Sequence, residues 1–94
     1  ISKYDVDKLV EMLMRCNASE IQDFRGILWA VYRHASKGSF IENDIDTMHQ
    51  LLTQILEKKE NNELPTDRII RCQFDVLIRN LEHFINQLSG VMEV

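Results

Sequence analysis

Ninety-four residues, 45% of them hydrophobic and 28% charged, suffice for one modest core and exclude a disordered or bilayer-spanning chain. A net charge of −4 argues against a nucleic-acid binder, whose affinity would rest on clustered Lys and Arg. Two cysteines are too few for a disulfide scaffold and point to a reducing, cytoplasmic setting, while three Gly and one Pro suit long helices with short connections.

The first helix begins near Ser2 or Asp5. Val6, Leu9, Val10, Leu13 and Cys16 follow at helical spacing, and the helix ends near "CNAS". There Asn17 or Ser19 can cap the second helix, and Ser19 with Gln22 matches a capping box. The second helix runs from about Glu20 to Lys37, with Ile21, Phe24, Leu28, Val31, Tyr32 and Ala35 as its inner stripe. Gly38 follows as a C-cap, and Lys37 suits the negative end of the helix dipole.

The third helix opens at Ser39, with Glu42 three residues on, or at Asn43. Ile41, Ile45, Met48, Leu52 and Ile55 step by four and three, and "EKKENNELP" ends it. The fourth starts at Thr66 or Asp67. Ile70, Phe74, Leu77, Leu81, Phe84 and Leu88 form a heptad seam, with Gly90 as the stop. This helix carries more apolar surface than one seam needs: Ile69, Val76, Ile78 and Ile85 lie to either side. It is therefore either the central helix or the contact with a second copy.

No segment alternates with period two. Short loops join neighbouring helices antiparallel. The pattern predicts an all-α, antiparallel up-down-up-down four-helix bundle with a short first helix, folded as one domain over residues 1–94.

The stretch "RGILWAVYR" stands out. Gln22, Arg25, Trp29 and Arg33 share a ridge, with Trp29 about 120° from the centre of the inner stripe. Trp and Arg are the residues most enriched in binding hot spots. The ridge is thus a candidate partner-binding surface. The alternative is that Trp29 closes the edge of the core, with arginine stems lying over it.

Other candidates are thinner. Arg68, Arg71 and Arg79 could form an anion-binding row, but Asp75 sits four residues from Arg71 and from Arg79, the pattern of a solvated charge ladder. Asp46 and His49 have a ligand-like spacing on an outer face, without the inward carboxylates that a helical metal centre needs. "RNLEH", Arg79 to His83, resembles a motif of some all-helical nucleases over five residues only, and its gap is too short. The glycines are too scattered for a phosphate loop, and no serine has a His–Asp partner. Cys16 and Cys72 fall at the same end of the bundle without facing each other, so they read as free thiols.

These features favour a non-enzymatic protein–protein interaction module: a small acidic adaptor, inhibitor, antitoxin- or immunity-type protein, or a regulatory domain. It needs no cofactor, metal or membrane. Its partner is another protein, or a second copy through helix two or helix four. The alternative is a nucleic-acid-binding regulator using the same basic and aromatic ridge or helix four, with nucleic acid the weaker partner on charge.

Overall fold

The computed structural model describes residues 3–35 and 42–92. Those residues form a four-helix bundle: α1 (Lys3–Leu13), α2 (Ala18–His34), α3 (Glu42–Glu60) and α4 (Arg68–Met92). The described residues contain no strand.

The helix starts follow from short-range hydrogen bonding. At α2 the cap is Asn17, not Ser19. Its Oδ1 accepts the Glu20 N–H at 2.8 Å, and Glu20 Oε1 accepts the Asn17 N–H at 3.0 Å. This is a reciprocal capping box two residues earlier than the Ser19–Gln22 pair predicts. At α4 the cap is Asp67, whose Oδ1 accepts the N–H groups of Ile69 and Ile70, both at 3.0 Å.

The end of α3 closes without glycine. Asn62 takes a left-handed φ of 58°. The Glu63 N–H then reaches the Lys58 carbonyl at 2.8 Å, and the Asn62 N–H reaches Lys59 at 3.1 Å. These two bonds make a Schellman closure, with asparagine in the place glycine most often holds. The closure swings Leu64 into the core, where it is buried.

Two boundaries differ from the sequence reading. Gly90 does not stop α4, which continues to Met92. A glycine weakens a helix interior without forbidding it, and twenty-two helical residues precede this one. The predicted C-cap of α2, Lys37 and Gly38, and the alternative α3 start at Ser39 lie outside the described residues.

The core brings together most of the predicted apolar stripes, with Leu51 and not Leu52 fully buried on α3, and with Phe24, Val31, Tyr32 and Ile70 only half-buried at its edge. Phe74, Leu77, Ile78, Leu81, Phe84 and Leu88 of α4 are all buried. They meet Ile45, Met48, Leu51 and Ile55 from α3, Ile21, Leu28 and Ala35 from α2, and Val6, Val10 and Leu13 from α1. Each large apolar side chain removed from water contributes about 1.5–3 kcal/mol, which makes this cluster the main source of stability.

Helix α4 is the central element, packed closely against both α3 and α2, while α1 packs on α3. Of the apolar residues beside its seam, Ile78 is buried and Val76 and Ile85 are half-buried, whereas Ile69 near its start stays 68% exposed. Lys59 near the end of α3 pairs with Asp75 near the start of α4 at 3.5 Å, as an antiparallel pair requires. Along α2 and α4, Arg25 meets Gln73 and Asn80, and Trp29 meets Phe84. These two helices therefore run in the same direction, as alternate helices of an up-and-down bundle do. Among the described residues α1 and α2 are not a closely packed pair.

Candidate functional site

The Gln22–Arg25–Trp29–Arg33 ridge divides in two. Arg25 and Trp29 turn onto α4. The Arg25 guanidinium is half-buried. Its Nη1 donates to Gln73 Oε1 at 2.8 Å and its Nε donates to Asn80 Oδ1 at 3.0 Å. Gln73 and Asn80 are seven residues apart on α4, so one guanidinium spans two turns of its neighbour. A planar fork with fixed donors suits this task, and a single ammonium would not.

Trp29 is also half-buried. Its ring meets Phe84 edge to face, with centroids 4.7 Å apart, and Tyr32 at 5.7 Å in the same manner. Tyr32 stacks on Phe84 at 4.7 Å, and His83 lies 6.1 Å from Trp29. Four rings from two helices thus form one cluster, centred on the fully buried Phe84. Such pairs add about 0.5–1.5 kcal/mol each beyond area burial. Gln22 and Arg33 remain exposed, and the Arg33 Nε–H folds back onto the Trp29 carbonyl at 3.4 Å. The two ridge residues that most suggest a partner surface are engaged within the bundle. The wheel angle for Trp29 counted α2's own apolar residues and not the position of α4.

The opposite flank of α2 is open. Ile27 is 60% exposed, and Met12 on α1 is 51% exposed. Between them runs a groove of about 310 Å³ lined by Met12, Leu13, Cys16, Phe24 and Ile27, with Glu20 and Asp23 on its rim. A second hollow of about 310 Å³ adjoins it along α1 and shares Met12, with Leu9, Asp5 and Lys8. The groove follows from the packing: α1 leans on α3 and α2 on α4, so their facing sides do not close on each other. Sequence reasoning missed this face because Ile27 and Met12 fall outside both inner stripes. An isoleucine off the stripe was the available signal.

Cys16 lines the groove. Burial pushes its thiol pKa up, and the nearby Glu20 carboxylate pushes it further in the same direction. The thiol donates to the Met12 carbonyl at 3.3 Å, which also holds the protonated form. Cys16 and Cys72 are both free thiols.

The remaining candidates are ordinary surface. Asp75 Oδ1 receives two cations, Lys59 Nζ at 3.5 Å and Arg71 Nε at 3.7 Å, so the arginine row is broken by a charge ladder. Exposed pairs of this kind contribute little to stability. Arg79, His83, Asp46 and His49 are exposed. Among the described residues no three His, Cys, Asp or Glu side chains gather as a metal site, and no helix is long and apolar enough to cross a membrane.

No protein-family model, curated protein or solved structure matches this chain. The functional reading therefore rests on the physical chemistry of the surface.

Proposed function

We propose that the chain is a non-enzymatic protein–protein interaction module that receives its partner along the α1–α2 groove. The observation that carries this reading is the pair of outward apolar side chains, Ile27 and Met12, flanking a continuous apolar trough. A single exposed isoleucine is common on any surface. Here two large apolar groups share one concave strip with Leu13, Phe24 and Cys16. Covering such a strip gains about 25 cal/mol per Å² of apolar area removed from water. Methionine adapts its shape to what covers it.

In this reading the ridge has a supporting role. Arg25 and Trp29 fix α2 against α4, so the groove is carried on a rigid helix. Gln22 and Arg33 lie on the other flank and are peripheral.

The test is capture from native lysate with the whole chain and two variants. Ile27→Asp removes the apolar anchor at an exposed site, and Arg33→Ala alters the ridge. Both positions are exposed, so both variants are expected to keep the wild-type helical signal and a near-wild-type melting temperature. Captured proteins lost with Ile27→Asp and kept with Arg33→Ala support the groove. A captured set that ignores Ile27→Asp overturns it.

A further inference from the structure

The groove has a sign as well as a shape. Both charged residues that line it, Glu20 and Asp23, are acidic. The adjoining hollow along α1 adds one acid, Asp5, and one base, Lys8, whose charges offset each other. Glu20 and Asp23 therefore set the sign along the α2 rim. Glu20 accepts one backbone N–H and stays exposed, so its charge still faces the groove. Its reach is visible at Cys16, whose thiol is held protonated partly by that carboxylate.

The dimensions suit one helix. The α2 wall runs from Glu20 to Ile27, seven residue steps or about 10 Å of helix, and faces Met12, Leu13 and Cys16. A partner helix lying between them would present about two turns, set by its residues at i, i+3, i+4 and i+7. Other occupants fit less well. A second copy would bring a chain of net charge −4 to an already acidic rim. An acidic or neutral segment would leave Glu20 and Asp23 uncompensated at the edge of a partly dewatered strip.

We propose that the α1–α2 groove binds a basic amphipathic helix of another protein, whose apolar stripe covers Met12, Phe24 and Ile27 while its Lys or Arg side chains face Glu20 and Asp23. This rests on the reading of the groove as the partner face and adds the chemistry of the occupant. Glu20 and Asp23 steer and orient the helix, and the apolar strip holds it.

The test uses the whole isotope-labelled chain and three synthetic peptides of about five helical turns. One is a Leu/Lys amphipathic helix. The second has the same composition with its leucines spread around the helix. The third carries Glu in place of Lys. The amphipathic Leu/Lys peptide is expected to shift the amide signals of Met12, Cys16, Phe24 and Ile27. Its Kd is expected to rise by about tenfold with Ile27→Asn, which removes the apolar anchor without adding a carboxylate, and by about tenfold with Glu20→Gln plus Asp23→Asn, each equivalent to about 1.4 kcal/mol. Glu20→Gln keeps the capping box, so the fold is retained. Equal binding by the spread-leucine peptide, shifts confined to other faces, or no binding overturns the proposal. Equal groove binding by the Leu/Glu peptide overturns the charge assignment and leaves the groove reading standing. Sedimentation of the chain alone covers the remaining occupant: self-association abolished by Ile27→Asp makes a second copy the partner and also overturns the proposal. Failure of the groove reading itself shows separately, as lysate capture indifferent to Ile27→Asp.

Discussion

Arg25 of α2 bridges Gln73 and Asn80 of α4, forty-eight and fifty-five residues away in the chain, through two hydrogen bonds of 2.8 and 3.0 Å. This is the polar clasp of the α2–α4 interface, and it fixes which flank of α2 is left for a partner. Removing it leaves two half-buried amides without their donor. Arg25→Ala is expected to cost about 1–3 kcal/mol in chemical denaturation. Arg25→Lys is expected to recover less than half of that, because an ammonium cannot reach both acceptors in the same geometry. A full rescue by lysine would mean that charge alone, and not the fork, matters.

Trp29 sits beside this clasp, edge-on to Phe84. Trp29→Ala is expected to destabilise the fold by about 2–3 kcal/mol, below the cost for a fully buried ring because one side stays open to water. Trp29 is the only tryptophan, so its emission reports the cluster directly. A partly blue-shifted emission, unchanged on dilution, matches packing within one chain. Emission that shifts red on dilution would place the ring between two copies.

The helix ends supply a third prediction. Asn17→Ala and Asp67→Ala each remove a side-chain acceptor from helix N–H groups and are expected to cost about 1 kcal/mol. Asn62→Gly is expected to stabilise by a few tenths to about 1 kcal/mol, since Asn62 holds a positive φ that glycine adopts freely. Gly26 behaves oppositely. It lies inside α2 with nothing within 4 Å of where a Cβ would stand, so Gly26→Ala is expected to gain up to about 1 kcal/mol. Thermal melts of the four variants check all of these.

The two thiols are expected to separate kinetically. Cys72 is exposed. Cys16 is held protonated by burial, by Glu20 and by its bond to the Met12 carbonyl. Labelling with a thiol reagent at neutral pH is expected to run in two phases, with Cys16 slower by roughly tenfold because the thiolate is the reactive form. The linkage has a definite sign. The folded pKa of Cys16 is raised, so its contribution to stability is whole at neutral pH. That contribution is lost as pH climbs from the unfolded value through the folded one. Equal labelling rates would contradict the burial of Cys16.

The periodic parts of this protein are legible in its sequence, and the interfacial parts are not. The α4 seam from Phe74 to Leu88 is buried as its spacing requires, because a helix turns its own apolar stripe inward whatever its neighbours do. Asp67 was one of two legible caps for α4. The Asn17–Glu20 box was equally readable, but two overlapping patterns competed within a few residues. The Asn62 closure was hidden because asparagine signals a left-handed turn more weakly than glycine. The direction of the Arg25–Trp29 ridge was not legible at all. Its partners, Gln73, Asn80 and Phe84, lie on a distant helix, and no local period encodes which flank that helix will cover. The outward Ile27 is the converse: visible in the sequence, and informative only once α4 is known to hold the other flank.

The central claim is that a partner contacts the Ile27 flank of α2 and not the Arg33 flank. The most direct measurement places a photoreactive phenylalanine derivative at position 27 in one chain and at position 33 in another, and irradiates each in native lysate. The account predicts a discrete crosslinked protein from position 27 and none from position 33. A crosslink from position 33 alone, or the same product from both positions, would contradict it.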